Sequence, residues 1–175
     1  AKDHDGGQTL LSGATRIWVM VPNGTMWCTS PANSSSFTIK KLSYEFSECT
    51  VKVRFENTTV FEETLPKSST PVRTYEAKCD VYQYTPRLLD QEGNPYSGAE
   101  IHLQYPDGAL KTLKTDGNGR VSIQQVPKGL YSIPEVIYNG RKVNQTAPFD
   151  IEGDLTDWLI QFNGLSINQT DYPES

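Results

Sequence analysis

Residues 90–140, DQEGNPYSGAEIHLQYPDGALKTLKTDGNGRVSIQQVPKGLYSIPEVIYNG, decide the fold. Apolar side chains alternate along Ile101, Leu103 and Tyr105, along Val121 and Ile123, and along Tyr131 and Ile133. A period of two fills one face of a β-strand. Between these runs stand Pro106-Asp107-Gly108, Asp116-Gly117-Asn118-Gly119 and Asn139-Gly140. Each supplies the residues that tolerate positive φ and close a tight hairpin.

The same grammar extends over the whole chain. Strand-like runs occur at Arg16–Met20, Phe37–Lys41, Thr50–Phe55, Val72–Tyr84, Ile101–Tyr105, Val121–Gln125, Tyr131–Tyr138 and Trp158–Phe162. The spacing of about 8 to 12 residues between turn signals, with no helical period, predicts an all-β protein. A chain of 175 residues is long enough for two compact β-sandwiches. With 36% hydrophobic and 21% charged residues, each can bury a core.

Self-comparison divides the chain. Gly13-Ala14, Ile17, Pro22-Asn23-Gly24 and Met26 correspond to Gly98-Ala99, Ile101, Pro106-Asp107-Gly108 and Leu110, at an offset of 84 to 85 residues. Farther on, Phe37 and Ile39 match Val121 and Ile123. Val51, Val53 and Phe55 match Ile133, Glu135 and Ile137, and the turns at Asn57 and Asn139-Gly140 coincide. A repeat of this length marks two copies of one unit.

Three motifs of the second copy carry a family resemblance: Asp90 to Ala99, Thr115 to Gly119 (TDGNG), and Val126 to Tyr131 (VPKGLY). The stretch resembles the carboxypeptidase-regulatory-like and Cna-B-like families and, more loosely, repeated domains of archaeal surface proteins, where a Cys precedes a Val-Tyr strand as Cys79 precedes Val81-Tyr82. The resemblance implies two tandem immunoglobulin-like, transthyretin-like β-sandwiches. The expected boundaries are 1–80 for the first, 81–162 for the second, and 163–175 for a C-terminal extension.

In that family the strand Val81–Leu89 opens the sandwich. The first copy starts at its own equivalent of the following turn, DHDGGQTLLSGA, with only Ala1 and Lys2 ahead of Asp3. It is therefore expected to lack its first strand, whereas NGLSINQTDYPES follows the second copy. Running from Gly98 through Ser175 to Gly13 of a next copy takes 90 residues, against 85 from Gly13 to Gly98. A sandwich short of one strand exposes unpaired backbone groups, which a strand from a partner can cover. The expectation is a head-to-tail filament of identical subunits, each giving a donor strand with Leu159, Phe162, Leu165 and Ile167 to the next. Two alternatives stand beside it: a tail folded back on its own domain, and a longer chain that supplies the strand itself. An adhesin or carbohydrate-binding stalk module of a larger surface or S-layer protein is the alternative function.

Five N-x-[ST] sequons, at Asn23, Asn33, Asn57, Asn144 and Asn168, point to an extracellular, cell-surface glycoprotein. The three cysteines, Cys28, Cys49 and Cys79, allow three pairings and have no metal or redox spacing. Cys49 with Cys79 is the expected disulfide, since each ends an alternating run, leaving Cys28 over. No apolar run approaches a membrane span. A net charge of −5 gives no footprint for nucleic acid.

Nothing predicts catalysis, a metal or a cofactor. The two histidines, His4 and His102, have no partner set in sequence, and His102 takes an outward strand position. Asp3, Asp5, Asp90 and Glu92 read as turn residues without the closing acid of a calcium loop. The Cna-B resemblance implies a possible intramolecular isopeptide bond. Tyr131, Ile133 and Glu135 match its acid half, but no Lys lies in Tyr82–Leu89, so Glu135 is read as structural. Most aromatic residues fall in strands and are expected inside.

Overall fold

The computed structural model describes residues 1–20, 26–29, 34–36, 48–66, 74–90, 92–144 and 148–160. Among them the protein is all strand and turn, apart from a short 3-10 turn at Ser12–Ala14. The chain divides into two compact units, Ala1–Tyr82 with Gln125–Lys128, and Gln83–Gln124 with Gly129–Ser175.

The first unit contains β1 (Thr15–Met20), β2 (Met26–Thr29), β3 (Glu48–Phe55) and β4 (Thr58–Pro66), in the antiparallel order β2-β1-β3-β4. Alternation does the sorting: Thr15, Ile17 and Val19 are buried while Arg16 is exposed. Ile17 lies opposite Val53 in the β1–β3 ladder, and both join Leu10, Phe55, Val60, Ala77, Cys79 and Val81 in one apolar cluster. The turn joining β3 to β4 has positive φ at Glu56 and Asn57, 47° and 61°. This is the signature of a tight hairpin, adopted with glutamate where glycine or asparagine is usual.

The second unit has one sheet of β6 (Glu100–Gln104), β7 (Leu110–Lys114), β9 (Gly129–Tyr138) and β10 (Arg141–Asn144), with β11 (Phe149–Ile151) also pairing β9. A three-stranded sheet runs β12-β5-β8, where β5 is Val81–Leu88, β8 is Ile123–Pro127 and β12 is Leu155–Ile160; Val81–Tyr82 and Gln125–Pro127 of it are counted with the first unit. The Pro-Asp-Gly turn closes β6 onto β7 as expected: Gly108 has φ 88°, and the Asp107 carboxylate accepts the Ala109 amide at 2.9 Å. The interior is aromatic. Tyr84 of one sheet meets Phe149 of the other with ring centres 5.9 Å apart, Phe149 stacks on Tyr131 at 6.1 Å, and Tyr131 meets Tyr105 edge-on at 5.2 Å.

Strand for strand, β2-β1-β3-β4 and β7-β6-β9-β10 have the same order and direction. The register corrects one detail of the expected repeat. Ile101 pairs with Val136 as Ile17 pairs with Val53, so the structural partner of Val53 is Val136 and not Glu135. A bulge between His102 and Gln104 causes the slip. It inverts the alternation of β9 beyond Ile133, because one extra residue exchanges the faces of a strand.

Two expected strands also change. Residues 74–80 make only isolated pairings, and regular β5 begins at Val81. The last strand is β12, which runs parallel to β5 from Leu155↔Tyr84 to Ile160↔Leu88. The expected run at Phe37–Lys41 lies outside the described residues.

Candidate functional site

The first-strand position of each unit is framed by an aspartate turn, and four hydrogen bonds of the two frames correspond. In the second unit the Asp90 amide donates to the Asn94 carbonyl at 2.9 Å, the Gly93 amide to the Asp90 carbonyl at 3.1 Å, and the Tyr96 amide to the Leu88 carbonyl at 3.0 Å. The Asp90 carboxylate accepts the Asn94 amide at 2.8 Å. In the first unit the matching distances are 2.8 Å for Asp3 to Gln8, 3.1 Å for Gly6 to Asp3, and 3.2 Å for Leu10 to Ala1. The Asp3 carboxylate accepts the Gln8 amide at 3.0 Å. A short acceptor side chain that satisfies the backbone of its own turn is what aspartate supplies here.

This frame aligns Ala1 with Leu88, Lys2 with Leu89 and Leu10 with Tyr96. The flanking pairings follow. The Leu88 amide donates to the Gly119 carbonyl at 2.7 Å, and the Ala1 amino group donates to the Ser35 carbonyl at 2.8 Å. On the other side β5 runs parallel to β12, and Lys2 makes a parallel pairing with Lys78. There the Lys2 amide donates to the Ala77 carbonyl at 2.8 Å and the Cys79 amide to the Lys2 carbonyl at 2.9 Å. Ala1 also packs on the apolar cluster of its unit, and desolvation there lowers the pKa of its amino group.

Ala1 and Lys2 of the first unit thus take the places that Leu88 and Leu89 hold in the second. In β5 the inward residues Val81, Tyr84, Pro86 and Leu88 are buried. The frame of the first unit is completed by Gln125, whose amide group donates to the Thr9 carbonyl at 2.9 Å and accepts the Leu11 amide at 2.8 Å. Lys128 joins it through an ion pair with Asp80 at 2.8 Å. Neither contribution was visible in the sequence, since both residues lie more than 100 positions, or nearly 50, from the groups they hold.

Of the proposed donor residues, Leu159 lies in β12 and pairs with Arg87 of its own chain. It serves the sheet that β5 and β12 share. Phe162, Leu165 and Ile167 lie outside the described residues, as do Asn23, Asn33 and Asn168. Asn57 stands exposed on the β3–β4 turn, and Asn144 ends β10.

Cys49 and Cys79 are not joined to each other. Cys49 pairs with Leu65, while the Asp80 amide, next to Cys79, bonds to the Val60 carbonyl. Five residues of β4 separate these points, roughly 16 Å at about 3.3 Å per residue, well beyond the reach of a disulfide. Cys79 is fully buried, and burial pushes its thiol up to about 11.

Glu135 faces outward as a result of the bulge in β9, toward His102 Nδ1 at 3.2 Å and Lys142 Nζ at 3.3 Å. It is thus turned away from the core side of β5. Tyr84, which is fully buried in β5, has its phenol pKa raised strongly by desolvation. Among the described residues no three His, Cys, Asp or Glu side chains are grouped to hold a metal. No helix among them is long and apolar enough to cross a membrane.

No curated protein matches the chain. Among solved structures it is similar to the Bacillus anthracis TIE protein, with TM-score 0.41 and 15% identity over 91% of this chain and 32% of that one. It is also similar to the group B streptococcus pilus 2b backbone protein, with TM-score 0.31 and 10% identity over 85% and 78%. BcpA, the major pilin subunit of Bacillus cereus, gives TM-score 0.34 and 16% identity over 88% and 56%. The chain spans about a third of the length of the first and about half of the last. All three are bacterial proteins and none is archaeal. Residues 87–161, which carry the second unit from the end of β5 through β12, match the SpaA prealbumin-like fold domain.

Proposed function

We propose that the chain is a structural subunit of an extracellular filament, glycosylated on exposed turns and assembled head-to-tail by donation of a strand from one copy to the next. The observation that carries this reading is the doubled frame. The turns at Asp3 and Asp90 share four hydrogen bonds, so the first unit frames a first-strand slot as the second frames the end of β5. A strand from a second copy completes the sheet with the pairings that β5 makes in the second unit. Because donor and acceptor are different surfaces, the contact repeats without closing.

The match of residues 87–161 to a prealbumin-like fold domain supports a non-enzymatic sandwich module. The Asn57 sequon, on an exposed hairpin turn, supports an extracellular setting. The test is to compare the full chain with a chain ending at Phe162 by negative-stain microscopy and sedimentation. Filaments from the full chain and monomers from the shortened one are expected; equal polymer lengths would refute strand donation.

A further inference from the structure

We infer that the outer face of β1 and β3, at Arg16, Trp18 and Arg54, is a binding surface for an anionic polysaccharide whose sugars carry carboxylates. It stands apart from strand donation, since none of these residues frames the slot at Ala1–Lys2.

Alternation builds the face. With Thr15, Ile17 and Val19 turned inward, Arg16, Trp18 and Met20 line the other side of β1. With Val53 and Phe55 turned inward, Lys52 and Arg54 line the same side of β3. The register sets Arg16 directly opposite Arg54, and Trp18 opposite Lys52. Like charges directly opposite on a ladder repel, so the arrangement costs stability. Both guanidiniums stand over the half-buried Trp18 ring, 5.4 Å and 5.6 Å from its centre, and attraction to the ring offsets part of that repulsion. Among the described residues neither arginine pairs with a carboxylate. Lys52 meets Glu62 at 4.0 Å, and Glu48, the acid of β3, lies four residues from Lys52 along the strand. Cations therefore outnumber acids around Trp18, in a chain whose net charge is −5.

The fold does not demand this. The pairing of Ile17 with Val53 and of Ile101 with Val136 sets Arg16 on Glu100, Trp18 on His102, Lys52 on Glu135 and Arg54 on Ile137. In the second unit the charges answer one another within the face, Glu135 lying 3.2 Å from His102 and 3.3 Å from Lys142. The same ladder closes there without clustered cations. Cations left unanswered in the first unit recognise an anion from outside. A guanidinium presents a planar fork that matches a carboxylate, and two on neighbouring strands, about 4.8 Å apart, reach acid groups carried on one polymer. The indole, with Met20 farther along the same side, offers apolar surface to the C–H face of a sugar ring.

The full chain is tested by interferometry on immobilised polygalacturonate at about 0.15 M salt, where long-range attraction is screened. Arg16→Gln with Arg54→Gln is compared with Lys111→Gln with Lys114→Gln, an equal loss of charge on β7. The arginine pair is expected to keep or raise the melting temperature, because repulsion is relieved; the single variants read the same effect should the pair fail to fold. It is expected to weaken binding about tenfold, and the lysine pair less than about twofold. Methyl-esterified polygalacturonate is expected not to bind. Trp18→Leu is expected to weaken binding to polygalacturonate but not to polyacrylate, which has carboxylates without sugar rings. Equal losses in the two double variants, or no binding by the unaltered chain, would overturn the site. Undiminished binding by Trp18→Leu would reduce the patch to a reader of charge and overturn the polysaccharide. Altered sedimentation of the arginine variant with polysaccharide binding intact would assign the face to a second copy and overturn the proposal.

Discussion

The carbonyl oxygen of Leu88 lies within clashing distance of the point where a Cβ on Gly119 would stand. Gly119 also has φ 73°, in the left-handed region, and the Leu88 amide donates to its carbonyl. Glycine is the residue that permits both the turn and the close approach of two backbones. Gly119→Ala is expected to destabilise the second unit by ~3 kcal/mol, the sum of backbone strain and a clash with main chain that cannot move aside. Gly117→Ala, where nothing lies within 4 Å, is the control and is expected to change little. Thermal denaturation of both variants checks this, and equal melting temperatures would count against the packing described.

Asp116 caps the same turn, accepting the amides of Arg120 at 2.9 Å and Asn118 at 2.8 Å. These backbone hydrogen bonds, that of Arg120 first, hold its carboxyl below the ordinary value. A depressed folded pKa means that the contribution is present above the unfolded value near 3.8 and is lost as pH falls through the folded one. Acid titrations of stability are expected to show this limb below about pH 4, and Asp116→Asn to flatten it. An unchanged acid limb in that variant would remove Asp116 from the account.

At alkaline pH the sign reverses. Desolvation raises the phenol of Tyr84 and pushes the Cys79 thiol up to about 11. A raised folded pKa gives stability that is full below the unfolded value and is lost as pH rises. Folded protein is therefore expected to keep Cys79 unreactive toward thiol reagents near pH 8, with reaction only on unfolding. Tyr84→Phe is expected to shift alkaline unfolding to higher pH. Rapid labelling of Cys79 in the folded chain would contradict its burial.

Glu135 sits among His102 and Lys142 on the outer face of the β9 sheet. Glu135→Ala is expected to cost no more than about 1 kcal/mol, as partly exposed ion pairs do. Made in a host that does not glycosylate, the chain is expected to have an intact mass equal to the sequence mass, since β5 offers no lysine to bond with an acid. A loss of water or ammonia in that mass would reveal a cross-link and assign Glu135 a different role.

A glycan is expected on Asn57 when the chain is made in a host that glycosylates Asn-x-Thr sites, because the side chain stands on an exposed turn at φ 61°. Peptide mass analysis tests it, and an unmodified Asn57 from such a host would weaken the extracellular reading.

How much of this was legible depended on range. Hairpins declare themselves locally: Pro106-Asp107-Gly108 and Asn139-Gly140 named their turns, and both glycines have positive φ. The alternation that buries Ile17, Val19, Ile101 and Leu103 was equally plain. The bulge in β9 was not, because Ile133, Glu135 and Ile137 look like an unbroken alternation and only the partner strand reveals the extra residue. The expected disulfide failed for a similar reason. Two cysteines at the ends of strand-like runs are close only if those ends meet, and the chain brings Cys79 to Val60 instead. Parallel pairing of β12 with β5 joins residues about 70 positions apart and leaves no local mark. The Asp3 and Asp90 turns, by contrast, were visible as a repeat before either hydrogen-bond frame was seen.

The pairing of β5 with β12 has a mechanical side. The two strands run parallel and lie at the opposite ends of the second unit's chain, so tension applied to those ends pulls them past each other lengthwise. The five pairings between Leu155↔Tyr84 and Ile160↔Leu88 then share the load together, whereas a hairpin pulled open from its tip gives way one rung at a time. A strand held between Ser35 and Lys78 of the first unit would be stretched in the same sense. Each joint of a chain of such units would then resist tension by the same geometry as the domains it connects.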